Sequence, residues 1–156
     1  MAKLAYAAGY FDGEGTINVL LCKGLPRQIR VELTSYDLDA LLVFQDLFGG
    51  KPRWGQFAGV KFQVCRWAKN NSEAISVLSA ITPFLRAKKE QALLALDSGW
   101  VTQARGRHRL TENQKQKRAA LYVALKAAKE RQKKIKKNEV ALKLAKLVIE
   151  APITLP

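Results

Sequence analysis

The chain has 156 residues, a formal net charge of +14 and 48% apolar residues. This length and apolar content fit one domain with an ordinary core, and they exclude a largely disordered chain. No apolar run approaches the ~20 residues of a membrane-spanning helix, and acids follow the short apolar start, which excludes a signal-peptide layout. We therefore expect an intracellular protein of the cytoplasm, nucleoid or an organelle, neither secreted nor bound to a membrane.

Cysteine and histidine are too scarce for a zinc finger, since Cys22, Cys65 and His108 are the only residues of these types. A single histidine also disfavours a nuclease that uses a histidine base beside a metal, unless His108 alone is that base. A disulfide is not expected in a reducing compartment. Both cysteines are expected to be small residues within strands.

In chain order, residues 3–11 are typical of a helix that ends at Gly13 and Gly15. Residues 16–23 and 27–35 then alternate, which predicts a β-hairpin with its turn at Gly24–Pro26. The expected core face of the hairpin consists of Ile17, Val19, Leu21, Ile29, Val31 and Leu33. Asp37 is expected to cap a helix over 38–48, which Gly49 and Gly50 end.

Residues 51–68 predict a second hairpin that turns near Ala58 and Gly59. In its second strand, one face would carry Val60, Phe62 and Val64, and the other Lys61, Gln63 and Cys65. Trp54 and Trp67 are expected to pack in the core or the hairpin rather than stack on bases. Ser72 is expected to cap a helix over 73–81. Thr82 is expected to cap another, with Pro83 in its first position, which continues from residue 84 and fades near Gly99. Two more helices are expected, over 110–137 and 139–150.

The order of helix, hairpin, helix, hairpin and further helices predicts an α+β fold with a four-stranded antiparallel sheet. Helices would cover one face of the sheet and leave its polar face for a ligand. We expect a core over residues 1–104 and a basic helical extension over 105–156.

The basic charge is concentrated, because residues 105–137 contain thirteen Lys or Arg residues and two acids. Such an excess is typical of proteins that bind a polyanion, most often nucleic acid, with a solvated helix surface as the alternative. The segment is expected to contact phosphates, which position a protein without reading sequence. Its first candidates are Arg105, Arg107 and Arg109.

Two carboxylates, Asp12 and Glu14, end the otherwise apolar first helix, and a glycine follows each. The stretch AAGYFDGEG (residues 7–15) resembles the LAGLIDADG motif. The element order behind it, together with LLVFQDLFGG (41–50) and PFLRAKKEQA (83–92), is similar to the core of LAGLIDADG homing endonucleases. The resemblance covers roughly residues 3–100.

The resemblance implies an α-β-β-α-β-β-α core and a sequence-specific double-strand DNA endonuclease that uses Mg²⁺ or another divalent cation. A single motif copy implies a homodimer, with Ala8, Gly9 and Asp12 at the helix contact. Its symmetry implies a pseudo-palindromic target of roughly 20 base pairs. The alternatives are a non-cleaving DNA-binding regulator and an RNA splicing factor (maturase). A ribosome-associated basic protein would explain the basic segment but not the acidic motif.

The resemblance also implies roles for individual residues. Glu14 matches the metal-binding acid, and the backbone carbonyl of Gly13 would complete the oxygen ligands. Asp12 would serve the helix interface and local capping. Lys88 matches a lysine that polarises water or stabilises charge, with Lys89 as its competitor. Ser35 stands where the family often has a water-positioning glutamine, and a role as an N-cap near Asp37 is its alternative.

DNA reading is expected from polar strand residues, which alternation places opposite the core. Arg and Lys suit guanine edges, Asn and Gln suit adenine, and Glu accepts from cytosine. An ordinary solvent-facing strand residue is the alternative for each. The candidates are Asn18, Arg30, Glu32, Thr34, Lys61 and Gln63.

Overall fold

The computed structural model describes residues 1–56, 63–100 and 110–150, with the backbone alone from 144 to 150. A short 3₁₀ turn covers Thr82–Phe84. The elements are α1 (Ala2–Glu14), β1 (Gly15–Cys22), β2 (Leu25–Ser35), α2 (Leu38–Phe48), β3 (Arg53–Gly55), β4 (Val64–Asn70), α3 (Asn71–Ile81), α4 (Lys89–Asp97) and α5 (Glu112–Glu150).

The four strands form one antiparallel sheet in the order β1-β2-β4-β3, which confirms the expected α+β architecture. The turn of the first hairpin is Lys23–Gly24, both at positive φ (50° and 75°), as the favoured two-residue hairpin turns require. The turn expected at Gly24–Pro26 is therefore displaced, because Leu25 and Pro26 already belong to β2.

Alternation correctly predicts most of the core face of the sheet. Ile17, Ile29, Val31 and Leu33 are fully buried, and helices α1, α2 and α3 pack on this face. Leu21 was wrongly expected there, because a register shift after Leu20 leaves it 46% exposed.

The two tryptophans have different environments. Trp67 is fully buried, and its indole N–H donates to the carbonyl of Gly49 at 3.0 Å, which confirms its packing role. Trp54, on the short strand β3, is 53% exposed and does not belong to the core.

The second hairpin is only partly described, since its expected turn near Ala58 and Gly59 lies outside the described residues. Strand β4 begins at Val64, and Gln63 precedes it. Val64 and Cys65 are both buried, so alternation did not separate them. Both cysteines are free, and burial raises the pKa of the Cys65 thiol.

One of the three expected helix caps is confirmed. The Asp37 carboxylate accepts from the amide of Ala40 at 3.0 Å at the start of α2. Ser72 was wrongly expected to cap α3, which already begins at Asn71. Thr82 was wrongly expected to cap the next α-helix: it is the C-cap of α3, and its hydroxyl donates to the carbonyl of Leu78 at 2.6 Å. The extended backbone at Leu85 then delays α4 to Lys89.

Helix α5 is continuous where two helices were expected, because no Gly or Pro interrupts residues 112–150. Its first half packs on α4, β1 and β2 and buries Leu121, Leu125 and Ala128. The polar face, which was expected to stay free of helices, is therefore partly in contact with α5 through Lys129 and Asn18. The guanidinium of Arg118 lies 4.3 Å from the ring centre of Trp100. None of the described helices is both long and apolar enough to cross a membrane. The expected boundary at residue 104 lies outside the described residues and stays a prediction.

We expect two alanine substitutions in the motif to have opposite effects. A Cβ at Gly15 would lie 2.3 Å from the ring of buried Phe11, whereas a Cβ at Gly13 meets nothing within 4 Å. Gly15→Ala should therefore lower the free energy of unfolding by roughly 1–3 kcal/mol. Gly13→Ala should raise it by up to about 1 kcal/mol through helix propensity. Urea denaturation measures the free energy of unfolding of each variant. Equal changes in the two variants would contradict the close approach of Phe11 to Gly15.

Candidate functional site

The acidic pair lies where α1 meets the sheet. Asp12 is half-buried in the last turn of α1, and Glu14 is its exposed last residue, directly before β1. The C-terminal end of a helix carries partial negative charge, which disfavours both carboxylates there. Their position therefore needs compensating interactions from elsewhere in the molecule.

The compensation for Asp12 comes from the segment that leads into α4. The two carboxylate oxygens of Asp12 accept from the backbone amides of Arg86 at 2.7 Å and Lys88 at 2.8 Å. Lys88 is the N-cap residue of α4, and Arg86 lies in the bend before it. Because the N-terminal end of a helix favours an anion, Asp12 joins the end of α1 to the start of α4. The capping expected of Asp12 is thus not local to α1 but joins two distant segments.

Lys88 lies beside the end of α1. It is 8% exposed, and its ammonium donates to the backbone carbonyl of Asp12. Burial lowers the pKa of Lys88, and the charge of Lys136 lowers it further, whereas Asp12 and Glu14 raise it. Lys89, the competing candidate, is exposed as the first residue of α4. The structure therefore brings Lys88 to the acidic pair.

The residues expected at a helix contact lie on different sides of α1. Ala8 is fully buried in the core of its own chain, so the expectation that it meets a second copy needs correction. Gly9 is exposed and follows exposed Ala5 by one turn, with exposed Gly13 one turn further. A Cβ at Gly9 or Gly13 would meet nothing within 4 Å. The small-residue surface of α1 is thus Ala5, Gly9 and Gly13.

Ser35 makes two local hydrogen bonds. Its hydroxyl lies 2.6 Å from the hydroxyl of Tyr10 on α1, and it accepts from the amide of Asp37 at 3.0 Å. The bond from the Asp37 amide closes a side-chain turn that is common for serine. Ser35 therefore has a local structural role, but it is not the N-cap of the alternative, since Asp37 itself caps α2.

The polar face of the sheet carries a connected network. The amide of Asn18 donates to Glu32 at 3.5 Å, and Glu32 lies 3.8 Å from the guanidinium of Arg30. Arg30 in turn donates to the side-chain oxygen of Asn70 at 2.8 Å. Three of the expected DNA-reading residues thus contact one another across the strands.

The remaining candidates are less constrained or lie elsewhere. Thr34 is half-buried on β2, and Gln63 is exposed before β4. Four of the expected DNA contacts lie outside the described residues: Lys61, Arg105, Arg107 and Arg109, together with His108.

Sequence patterns missed two residues of the polar face. Asn70 bonds Arg30 from β4, and the ammonium of Lys129 on α5 donates to Asn18 at 2.5 Å. Alternation along β4 is the signal that could have identified Asn70. Nothing local identifies Lys129, because its position depends on how α5 packs.

The residues at the end of α1 suit a hard divalent cation in chemistry but not in number. The Glu14 carboxylate and the Gly13 carbonyl are the oxygen ligands that Mg²⁺ prefers. Within residues 1–56, 63–100 and 110–143, no group of three or more His, Cys, Asp or Glu side chains could hold a metal. Both oxygens of Asp12 already accept backbone N–H groups. A single chain therefore offers one unengaged charged ligand from the motif.

The chain shares its fold with a solved homing endonuclease. A crystal structure of I-CvuI in complex with the I-CreI target (C1221) in the presence of 2 mM Mg matches with a TM-score of 0.50 and 18% sequence identity, over 77% of this chain and 94% of that one. I-CvuI in complex with its own target (Sro1.3) in the presence of 2 mM Ca aligns over the same shares with a TM-score of 0.48. No family model and no curated protein matches the sequence.

At 18% identity, the likeness establishes the fold. It confirms the α-ββ-α-ββ-α order and the four-stranded antiparallel sheet expected of the LAGLIDADG endonuclease fold. Activity has to be argued from the residues of this chain, because one fold hosts many functions.

We expect Asp12→Asn to destabilise the protein by roughly 1.5–3 kcal/mol, because an amide offers one acceptor oxygen and no charge to two backbone N–H groups. Urea denaturation measures the loss. The control is Asp46→Asn on the exposed side of α2, which should change stability by less than about 0.5 kcal/mol. Equal effects of the two substitutions would contradict the anchoring role of Asp12.

Proposed function

We propose that this chain is a sequence-specific double-strand DNA endonuclease that acts as a homodimer on a long pseudo-palindromic site. One observation carries the proposal: an exposed carboxylate, Glu14, ends the motif helix beside a buried lysine, Lys88, that the neighbouring acid Asp12 anchors. Burial of an ammonium is costly and lowers the pKa of Lys88, and groups with perturbed pKa values cluster at functional sites.

Each residue would have a separate task. Glu14 and the carbonyl of Gly13 would hold a divalent cation, which, when bound, activates water and neutralises charge on the leaving oxygen. Lys88, with its ammonium at the carbonyl of Asp12, would stabilise negative charge on the phosphate. Asp12 would position Lys88 through the backbone bonds at Arg86 and Lys88.

A second copy of the chain would complete the site. One copy supplies one unengaged motif carboxylate, and two copies related by a two-fold axis would supply two. The exposed small-residue surface of α1, Ala5, Gly9 and Gly13, would allow two such helices to approach closely. The dimer would then read two half-sites of about one helical turn each.

Charge supports nucleic acid as the partner. The net charge of +14 includes the exposed lysines of α5, which suit phosphates. The polar face of the sheet, with Asn18, Arg30 and Glu32, offers the side chains that read base edges.

The decisive substitution is Glu14→Gln, which keeps the shape of the side chain and removes its charge. A target duplex is first selected from a random library with Ca²⁺ and then assayed for cleavage with Mg²⁺. We expect cleavage to fall on the order of a hundredfold or more while binding persists, because divalent cations need charged oxygen ligands. Glu139→Gln, the same change at an exposed position of α5, is the control and should leave cleavage unchanged.

Other outcomes of this assay have definite meanings. If the wild type binds a selected duplex tightly and no divalent cation supports cleavage, the endonuclease proposal fails and a DNA-binding regulator takes its place. If, in a parallel binding assay, the protein binds a structured RNA more tightly than any selected duplex, the splicing-factor alternative takes its place.

The dimer is tested by Gly9→Leu. We expect the monomer to fold, since a Cβ at Gly9 meets nothing within 4 Å, but the larger side chain should force two α1 helices apart. Sedimentation of the DNA complex should show two protomers per duplex for the wild type and loss of that species for the variant. Ala127→Leu, at an exposed position of α5, is the control. A wild-type complex with one protomer would refute the dimer.

A further inference from the structure

The side-chain amide of Asn18 is held in one orientation by two independent contacts. The ammonium of Lys129 can only donate, so the oxygen of Asn18 faces it, at 2.5 Å. The carboxylate of Glu32 only accepts when ionised, so the amide nitrogen faces it, at 3.5 Å. Both contacts require the same orientation, which chemistry alone therefore determines.

This orientation changes what Asn18 offers to a base. An asparagine that reads adenine uses its oxygen and its nitrogen together, accepting from N6 and donating to N7. Beside the Asn18 oxygen lies a positive ammonium, which repels the N6 donor of adenine. The hydrogens that remain on Lys129 and Asn18 form a donor pair, and guanine presents the matching acceptors, O6 and N7.

Glu32 is committed to the same network. One of its oxygens accepts from Asn18, and the other lies 3.8 Å from the guanidinium of Arg30. The ammonium of Lys129 and the carboxylate of Glu32 also attract each other electrostatically. Glu32 thus anchors the donor pair rather than accepting from cytosine.

The packing of α5 on α4 keeps Lys129 in this position. Ala128, the residue before it, is buried, and Leu125 one turn earlier is also buried. After Lys129, Arg131 forms an ion pair with Glu90 at 2.5 Å, and Gln132 accepts from Gln91 at 2.8 Å. Contacts on both sides of Lys129 therefore hold this part of the helix at the polar face of the sheet.

We propose that Lys129 is a specificity-determining residue, which makes the Asn18 position select guanine where Asn18 alone would select adenine. The inference rests on the proposed DNA binding by the sheet. Lys129 acts in two ways, as a donor to the base and as the group that orients Asn18.

The test is selection of bound duplexes from a random library, with Ca²⁺ present, by the wild type and three variants. We expect the wild type to enrich guanine at one position of each half-site. Lys129→Ala should shift that position toward adenine on the order of tenfold, and adding Asn18→Ala should abolish the preference for either base. Lys129→Arg, which keeps the donor and the charge, should retain guanine.

The matched control is Lys133→Ala, one turn further along α5. Lys133 is exposed and paired with Glu130, so its removal costs the same charge without touching Asn18. We expect both alanine variants to lose similar non-specific affinity, whereas only Lys129→Ala should change base preference. Thermal denaturation of all variants checks that they fold.

Several results would overturn the inference. An unchanged profile for Lys129→Ala would exclude any role in reading, and loss of preference at every position would reduce Lys129 to a structural contact. A wild type that enriches no sequence would refute the proposed function itself, and the inference with it. A wild type with a clear profile and an unshifted Lys129→Ala variant would refute the inference alone.

Discussion

The bonds from the Asp12 carboxylate to the amides of Arg86 and Lys88 are the interaction on which the rest of the site depends. They join the negative end of one helix to the positive end of another, so each terminus compensates the other. They also place Lys88 beside the motif and fix the direction in which α4 leaves it. Because α4 then carries Glu90 and Gln91 to α5, the same bonds indirectly locate Lys129.

The sheet is organised by a second constraint, the pairing of acids with cations on its polar face. Alternation makes one face apolar and buried, and it leaves the other face to polar groups that need partners. Here those partners are one another: Asn18, Glu32, Arg30 and Asn70 run across three strands, and Lys129 joins them from α5. The face is therefore an ordered surface of defined donors and acceptors, rather than a row of independent side chains.

The fold and the activity rest on different grounds. The likeness to I-CvuI establishes the arrangement of helices and strands, at an identity of 18%. The proposed chemistry rests on this chain alone, above all on an exposed Glu14 next to a buried and anchored Lys88. The proposed second copy rests on the same local observation, since one chain leaves a single motif carboxylate to hold a metal.

The sequence by itself determined the features that depend on neighbours along the chain. Alternation identified Ile17, Val31 and Leu33 as core, the Asp37 cap was readable from its position, and the motif located Asp12 and Glu14 at a helix end. Only the tertiary structure decided that Asp12 binds the start of α4 and that Lys129 meets Asn18. The physical reason is that periodicity reports which face of an element is apolar, whereas hydrogen bonds between residues 74 or 111 positions apart depend on how whole elements pack.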